Sequence, residues 1–375
     1  MIASERIKLS PTDEQLVLFK KFCGTARFTY NECLSYKIDC YQKDGYSCKV
    51  QDLIEHIQDL KYTDEFSWIK ETPEAVTKQA IKDLDKAYKQ FFKRGNTGFP
   101  KFKKKGKCKE SFYVRSDKFK QLDTTHIKIT GVKTPIKTSK HGLITQFLNP
   151  RITFDGKYWY LSYSYEIDCC DKSNSDRVIG VDLGIKSLAV TSDEGFYKNI
   201  NKSKRVKQLE KRKRHLQRKL SRKYQMNKKG SKYVKTNNII KLEQEIRLID
   251  RKLKNIRNTY IHQVTYDLVK TKPACIVIED LNVKGMMKNK HLSKSIQQQE
   301  FYKFRHYLEY KCQFAGVDLV VADRFFPSSK TCSCCGYKKK FLSLKERTYY
   351  CPECGMVMDR DFNAALNLRN YALAQ

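Results

Sequence analysis

Apolar and polar residues recur with different periods along the chain, which divides it into a helical, a strand-rich and a mixed part. In the first 95 residues the apolar positions have the spacing of amphipathic helices. Ser10-Pro11-Thr12-Asp13 has the pattern of a capping box with Pro at the first helical position. Gly95–Gly98 predicts the end of this part. The predicted helices run from Pro11 to about Tyr36, over Gln51–Leu60 and over Pro73–Lys93.

From Phe99 to Asp168 the pattern changes to the two-residue alternation of short strands. Asp155-Gly156 lies between two apolar runs and predicts a hairpin, whose return strand alternates over Trp159–Ile167. We expect the strand before Ser10 to complete this antiparallel unit. The polar segment Asp171–Asp176 then predicts a domain boundary.

The remaining part alternates buried strands with helices. The predicted strands are Arg177–Asp182, Leu188–Thr191, Phe196–Ile200, Ala274–Glu279 and Val317–Ala322. The predicted helices are Ser203–Lys223, Asn237–Lys270, Gln297–Ala315 and Asp361–Ala372. Three meandering strands, a helix-separated pair and a final helix predict an RNase H-like α/β fold.

The charge of the chain points to a polyanionic partner. Its 375 residues include 75 Lys and Arg against 41 Asp and Glu, a net charge of +34. Such an excess is typical of nucleic-acid binding and unlike an ordinary metabolic enzyme. The 40% of hydrophobic residues excludes a disordered basic tail, and the lack of a run of about 18 apolar residues excludes membrane insertion. Without a secretory signal pattern, we expect the fourteen cysteines in a reducing compartment, where clustered cysteines hold metal.

Four of these cysteines form two C-x-x-C-G knuckles with fifteen residues between the pairs. The spacing predicts one structural zinc ion, because four sulfur ligands leave no position for water. The expected ligands are Cys332, Cys335, Cys351 and Cys354, with Cys334 as a non-ligand. Structural buried cysteines or a redox pair are the alternatives.

Three carboxylates occupy positions that predict a second metal site. Asp182 and Glu279 each end an apolar strand, and Asp361 begins the final helix. Carboxylates that meet in a core repel one another unless a cation neutralises them, and hard oxygen ligands favour Mg²⁺ or Mn²⁺. Two such ions about 4 Å apart could activate water and stabilise a leaving 3′ oxygen in phosphodiester hydrolysis. Spacing alone does not choose between Glu279 and Asp280, or between Asp361 and Asp359.

The acidic segments also carry a family resemblance. Gly180–Gly184, Ile278–Asn282 and Asp361–Asn367 resemble the three motifs of RuvC-type nucleases, and the cysteine knuckles lie directly before the third. This arrangement resembles the TnpB family, the OrfB-type RNA-guided nucleases of insertion sequences, which are relatives of compact type V CRISPR effectors. Further resembling segments are Leu84–Ala87, Phe91–Arg94, Gly98–Lys103 and Phe326–Cys332.

The resemblance implies a multidomain α+β fold: a RuvC-like, RNase H-like α/β core with an inserted zinc ribbon, preceded by a β-rich wedge-like unit that carries a helical recognition insert. It implies a wedge-like domain over 1–10 and 96–170, a helical domain over 11–95, a nuclease domain over 171–327 and 359–375, and a ribbon over 328–358. It further implies that Asp182, Glu279 and Asp361 hold two Mg²⁺ (or Mn²⁺) ions and are catalytic. Asp359 and Arg360 are then expected to support the join from ribbon to helix, although Arg360 could reach a phosphate.

Two basic regions are predicted to bind nucleic acid. The segment Lys202–Lys223 contains twelve cations and one acid, Glu210. Binding to phosphate groups explains this excess of positive charge better than a helix face exposed only to solvent. Lys101–Lys105 interleaves cations with Phe99, Phe102, Phe112 and Tyr113, which suits gripping a backbone and stacking on unpaired bases; a half-buried strand with a charged face is the alternative. The predicted contacts are Lys101, Lys103, Lys104, Lys105, Lys204, Arg205, Lys211, Arg212, Arg214, Arg218 and Arg222.

The resemblance implies an RNA-guided DNA endonuclease of a transposable element, which cuts guide-matched double-stranded DNA beside a short flanking motif. Its partners would be a guide RNA from the element's end and target DNA, with no membrane and one protein copy per RNA. Its location would be cytoplasmic, near the nucleoid, in a prokaryote and nuclear in a eukaryote. The alternatives are an RNA-guided repressor that does not cut, an RNase H-fold transposase and, less favoured, a Holliday-junction resolvase.

Overall fold

The computed structural model describes residues 1–94, 98–139, 147–168, 172, 175–343 and 346–374. It divides into two compact units, Met1–Ile167 and Asp168–Gln375. The predicted helix stop at Gly95–Gly98 and the predicted link at Asp171–Asp176 fall mainly outside the described residues. Among the helices described, none combines the length and the apolarity that crossing a membrane requires.

The first unit is one antiparallel sheet with helices. The strands are β1 (Ile2–Ser10), β2 (Ser111–Tyr113), β3 (Lys120–Gln121), β4 (His126–Lys128), β5 (Ile136–Thr138), β6 (Leu148–Phe154) and β7 (Trp159–Glu166). Their order in the sheet is β2-β6-β7-β1-β5-β4-β3, so β1 does complete the predicted unit. The helices are α1 (Asp13–Asp44), α2 (Val50–Lys61) and α3 (Glu74–Arg94), with short 3₁₀ turns at Ser67–Glu71 and Ser116–Lys118.

Two sequence predictions for this unit are wrong in detail. The N-cap of α1 is Thr12, whose hydroxyl accepts from the Gln15 N–H while the Gln15 side chain accepts from the Thr12 N–H. Ser10 instead ends β1, and Pro11 therefore precedes the helix. Phe99–Lys105 is not a strand, and within the described range 98–139 the first strand begins at Ser111.

The core of the first unit lies between α1 and the sheet. Phe19 and Phe22 are fully buried and pack edge-on or tilted against Phe112 and Trp159, with ring centroids 5.1–5.5 Å apart. Aromatic pairs in this geometry add stability beyond the area that they bury. Phe112 is therefore a core residue, and the prediction that it belongs to an exposed stacking surface is wrong.

The second unit is an α/β sheet with helices on both faces. The strands are β8 (Val178–Leu183), β9 (Ser187–Thr191), β10 (Phe196–Lys198), β13 (Cys275–Glu279) and β14 (Asp318–Ala322), in the order β10-β9-β8-β13-β14. Strands β8, β9 and β10 form an antiparallel meander, whereas β13 runs parallel to both β8 and β14. This is the RNase H-like arrangement that the sequence predicts.

The other elements of the second unit surround this sheet. Between β10 and β13 lie α4 (Lys204–Met226), the small hairpin β11 (Lys228–Lys229) and β12 (Lys232–Tyr233), and α5 (Asn237–Lys270), with a 3₁₀ turn at Ile200–Lys202. After β13 come α6 (Val283–Met286), α7 (Ser293–Gln299) and α8 (Phe301–Ala315). The ribbon strands β15 (Thr348–Tyr350) and β16 (Val357–Asp359) precede α9 (Arg360–Leu373). The single helix predicted over Gln297–Ala315 is wrong, because Glu300 adopts a left-handed conformation and separates α7 from α8.

Successive residues of a strand face opposite sides of the sheet, and here the two sides have different cores. Ile276 and Ile278 of β13, with Ile179 and Val181 of β8, belong to the cluster formed with α5 and α8. Val277 packs on the other face with Leu368 of α9. The residues of opposite parity, Asp182 on β8 and Glu279 on β13, therefore share the face that α9 covers.

Candidate active site

Three acidic side chains meet at the end of this shared face. Val181 of β8 is paired with Ile278 of β13, so Asp182 and Glu279 follow at the same level of two neighbouring parallel strands. Asp361 is the second residue of α9, which packs across β8 and β13. The structure therefore brings the three acids predicted from the sequence to one place.

The pKa shifts of Asp182 and Glu279 have two causes, burial and neighbouring charge. Burial raises the pKa of Asp182 well above its usual range, and the charges of Glu279 and Asp361 raise it further. Burial also raises the pKa of Glu279, against the opposing effects of a Ser328 hydrogen bond and the charge of Arg360. Such mutual repulsion is what a bound cation relieves. A set of carboxylate oxygens suits a hard divalent ion such as Mg²⁺.

The carboxylate oxygens of the three acids do not all lie within 4.8 Å of one another. Throughout the described residues, the only cluster of at least three His, Cys, Asp or Glu ligand atoms within 4.8 Å of one another is made of cysteines. The carboxylate oxygens of Asp182, Glu279 and Asp361 therefore span a wider gap.

The ambiguous neighbours of these acids have other partners. Asp280 forms ion pairs with Arg305, at 3.2 Å, and with Arg324. Asp359 is the N-cap of α9, and its carboxylate accepts from the backbone N–H groups of Asp361 and Phe362. Glu279 and Asp361 raise the pKa of Asp182 more than Asp359 does, which favours them as the members of each pair that belong to the site.

Arg360 is held by the ribbon side of the join. Its guanidinium donates to the Ser343 carbonyl at 2.9 Å and lies 3.4 Å from the Ser329 hydroxyl. Its backbone N–H donates to the Arg347 carbonyl at 2.8 Å. These contacts agree with a supporting role at the join from ribbon to helix.

Sequence reasoning missed several residues that hold the acids in place. Ser328, which is 3% exposed, donates its hydroxyl proton to Glu279. Two buried amides of α9, Asn363 and Asn367, donate to the Thr331 carbonyl at 2.7 Å, and Asn367 donates also to the Ser328 carbonyl at 2.7 Å. The available signal was their i, i+4 spacing in the third acidic motif, which places both amides on one side of the helix.

The four predicted zinc ligands form one cluster. The sulfur atoms of Cys332 and Cys354 are 3.6 Å apart, as are those of Cys335 and Cys351. Zinc bound tetrahedrally at about 2.3 Å places its sulfur ligands about 3.8 Å apart, so the spacing fits one ion. Cys334 is exposed and lies outside the cluster.

Each knuckle closes on a glycine with a left-handed backbone. Gly336 has φ +77° and donates its N–H to the Cys332 carbonyl, and Gly355 has φ +72° and donates to the Cys351 carbonyl. Residues with a side chain rarely adopt this conformation, which explains the C-x-x-C-G pattern. Buried Tyr349 fills the space beside the cluster.

The cations of α4 divide into an outward face and a face towards α5. Buried Val206 and Leu216 mark the inner side. The opposite side carries exposed cations at intervals of three and four residues, which we call the basic stripe; its members are Lys204, Lys207, Lys211, Arg214, Arg218 and Arg222. The predicted contacts Arg205 and Arg212 are exposed too, but they line a cleft with Lys252 of α5, and Arg212 lies 3.9 Å from Glu245.

In the first unit, the predicted basic segment is mostly exposed. Lys101, Lys104 and Lys105 face solvent, together with Phe99 and Phe102, which are 45% and 50% exposed. Lys103 differs, because its ammonium lies 3.5 Å from the centre of the Tyr30 ring and its backbone is held by Asn31.

Known proteins resemble this chain over nearly its whole length. Family models match residues 162–290 (the OrfB family of IS605, "Probable transposase"), residues 301–368 (Cas12f1-like, TNB domain) and residues 1–46 (the OrfB/IS605 "Helix-turn-helix domain"). Residues 1–46, all of which the structure describes, form β1 and the single helix α1.

Two relatives align end to end. "Putative RNA-guided DNA endonuclease" of Streptomyces pristinaespiralis is 29% identical, covering 98% of this chain and 89% of that protein. "Putative RNA-guided DNA endonuclease InsQ" of Escherichia coli K12 is 26% identical, covering 97% of this chain and 90% of that protein.

Among solved structures, Cas12f1 in its complex with sgRNA and target DNA shares the fold. The two align with a TM-score of 0.57 and 16% identity over 96% of this chain and 83% of that one. Taken with the acidic edge of the sheet and the inserted cysteine ribbon, these matches show that the chain is similar to proteins of the TnpB-type (OrfB) family.

Proposed function

We propose that this protein is an RNA-guided DNA endonuclease that hydrolyses phosphodiester bonds at the edge formed by Asp182, Glu279 and Asp361. The observation that carries the proposal is the meeting of these three acids, from two parallel strands and the final helix, in a chain with a net charge of +34. A cluster of negative charge in so basic a protein suits metal-assisted cutting of a polyanion. The names of the end-to-end relatives support the same activity.

In this proposal, Asp182, Glu279 and Asp361 hold Mg²⁺ ions, and the four cysteines hold one structural zinc ion. Bound Mg²⁺ would supply an activated water and neutralise charge on the leaving oxygen. Ser328 fixes the orientation of Glu279, and Asp359 fixes the first turn of α9 and with it Asp361. Asp280 forms ion pairs with two arginines, and the pKa of Asp182 is raised more by Glu279 and Asp361 than by Asp359.

The bound nucleic acids would be a guide RNA and double-stranded target DNA. Target sequence would be read by base pairing with the guide, while the protein grips backbones and checks a short flanking motif. The basic stripe and the segment Lys101–Lys105 are the surfaces that we assign to backbone contact. We expect one protein copy per RNA, located with the host DNA in the nucleoid region or the nucleus.

The test is cleavage by the purified protein with its copurifying RNA, which is sequenced to define the matching target. With Mg²⁺, the wild-type protein should cut the matched DNA, and Asp182→Ala should abolish cutting but keep RNA and target binding. Asp280→Asn is the matched control, because this neighbouring acid is paired with arginines, and it should still cut. Guided cutting by Asp182→Ala would refute the assigned site.

The same experiment separates the alternatives. Wild-type protein that binds the matched target but leaves it intact, with or without EDTA, would indicate a repressor. Joining of transposon ends that survives ribonuclease treatment of the protein would indicate a transposase.

A further inference from the structure

The turn that joins β8 to β9 begins two residues after the candidate catalytic Asp182. It comprises Gly184–Lys186, and its first N–H donates to the Leu188 carbonyl at 3.3 Å. Three side chains from later in the chain donate to its carbonyl groups: Gln299 to Gly184 at 2.7 Å, Asn199 to Ile185 at 2.8 Å and Lys202 to Lys186 at 3.3 Å. Because the turn is short, fixing its carbonyls also fixes the end of the strand that carries Asp182.

Gln299 is the most buried of these three donors. It is 2% exposed, and its amide nitrogen lies 3.4 Å from the carbonyl oxygens of both Ile185 and Ser187, besides its bond to Gly184. Burying a carboxamide costs free energy unless it is hydrogen-bonded. An apolar side chain of similar size would fill this space without that cost, so the amide is there for its bonds to the turn.

The backbone is strained directly after Gln299. Glu300 has φ +52° and ψ +41°, a left-handed conformation that residues other than glycine seldom adopt. Its carboxylate forms an ion pair with Lys303, whose ammonium also donates to the Asn258 side chain of α5 at 2.8 Å. Strain of this kind persists when surrounding contacts fix it, and it often accompanies a functional constraint. Here it makes Gln299 the last residue of α7 instead of an interior residue of one long helix.

The carbonyl end of Gln299 continues the network towards α4. Its oxygen accepts from Asn201 at 3.4 Å, and the Asn201 oxygen accepts from Arg257 at 2.7 Å. Arg257 in turn bonds to Glu210 at 3.0 Å. Glu210 is the one acid within Lys202–Lys223, so the turn beside Asp182 is connected to the base of the basic helix.

We propose that Gln299 is a positioning residue for the phosphodiester-cutting site, which acts by fixing the turn that follows Asp182. The inference rests on the proposed function for its chemistry, and on the hydrogen bonds described above for its geometry. Without the amide, the turn carbonyls lose their buried donor and Asp182 is no longer held at the level of Glu279. Metal binding and cutting weaken, whereas contacts with guide and target are unchanged because Gln299 is buried.

The test compares Gln299→Met with Gln297→Met in the full RNA-bound protein. Methionine keeps the volume and helix preference of glutamine but removes both donors, and Gln297 is an exposed neighbour on the same helix. Four quantities are measured: target affinity, the single-turnover cutting rate at saturating DNA over a Mg²⁺ series, hydrogen exchange of peptides covering residues 183–188, and the melting temperature.

For Gln299→Met we expect target affinity within about twofold of wild type, because no nucleic-acid contact is removed. The cutting rate at fixed Mg²⁺ should fall about 10- to 100-fold, with a higher half-saturating Mg²⁺ concentration, as for other residues that orient metal ligands. The turn amides should exchange faster. Gln297→Met should match wild type in all four measurements.

A purely structural role predicts something else: a lower melting temperature and a rate reduced only in proportion to the folded fraction, with the half-saturating Mg²⁺ concentration unchanged. That result, or unchanged exchange of the turn, would overturn the inference. If the wild-type protein itself fails to cut, the proposed function fails, and hydrogen exchange still decides whether Gln299 fixes the turn.

Discussion

A methyl group on Gly180 would lie 2.5 Å from the backbone nitrogen of Arg369 and closer still to the backbone oxygen of Ala365. The final helix therefore crosses β8 at a point where only glycine leaves room. Gly180 lies two residues before Asp182 on the same face of the strand, and Ala365 lies one helical turn after Asp361. This close crossing is what sets the distance between the two acids.

Replacing this glycine should separate helix and sheet. Both atoms that the new methyl group would meet belong to the backbone of α9, so Gly180→Ala should cost about 1–3 kcal/mol of stability or more. It should also reduce cutting while RNA binding remains. Thermal unfolding and target cleavage measure the two effects. Gly98→Ala is the control, because among the described residues no atom lies within 4 Å of a methyl group there. Equal melting temperatures for Gly180→Ala and the wild type would contradict the close crossing.

Loss of zinc should affect the acidic edge as well as the ribbon. The lead-in to the ribbon carries Ser328 and is bonded to Asn367 of α9, so an unfolded ribbon releases Glu279 from its hydroxyl donor. We expect Cys335→Ser to lose the metal and most of the cutting activity, since structural zinc sites provide the folding energy of such small domains. Elemental analysis gives the zinc content. Cys334→Ser changes a neighbouring, exposed cysteine and should keep one zinc ion per chain.

The basic stripe should determine the salt dependence of nucleic-acid binding. Changing Lys211, Arg214 and Arg218 together to Gln removes three exposed cations, and each lost phosphate contact lowers the slope of log affinity against log salt by roughly 0.7–0.9. RNA affinity measured at several salt concentrations gives the slope. Lys213→Gln is the control, because its ammonium is 2.5 Å from Asp250 of α5. A slope unchanged in the triple variant would show that the stripe does not contact phosphate.

Asp83 of α3 and Arg151 of β6 should stabilise the first unit in a pH-dependent way. They form two parallel hydrogen bonds of 2.8 and 2.9 Å. Burial alone would raise the pKa of Asp83, but hydrogen bonds from Arg151 and Gln79 outweigh it and lower the pKa. A lowered carboxyl pKa adds stability above the unfolded value of about 3.9, and this stability is lost as the pH falls through the folded value.

The variant that tests this pair is Asp83→Asn. It should cost about 1–3 kcal/mol at pH 7, and the difference from wild type should shrink below about pH 4. Both tryptophans of the chain, Trp68 and Trp159, lie in the first unit, so their fluorescence during urea unfolding reports on that unit. A difference that stays constant down to pH 3 would contradict the assigned ionic contribution.

Much of the fold and of the candidate site could be predicted because the determinants are local. Short windows of sequence show the spacing of apolar residues, which differs between strands and helices. They also show the paired cysteine knuckles, each with its following glycine. The strand ends at Asp182 and Glu279 could be predicted to meet for the same reason, since parallel strands in one sheet end on one side.

What could not be predicted depends on partners far away in the chain. The break at Glu300 is held by Asn258 through Lys303, and nothing within Gln297–Ala315 signals it. The ion pairs of Asp280 with Arg305 and Arg324, which favour Glu279 as the residue of the candidate site, are visible only in the folded chain. Ser328 likewise acquires its role only where the chain folds back towards β13.

The paired helices α4 and α5 have an apolar core of their own, formed by Val206, Leu216, Leu242, Ile246, Ile249 and Leu253 and distinct from the cluster beneath the sheet. Their far end closes in the small hairpin of β11 and β12, away from the strands. Whole turns could therefore be added to or removed from both helices in matched numbers while the sheet remains intact. Chains of this architecture can thus change the reach of this arm independently of the arrangement at the sheet's edge.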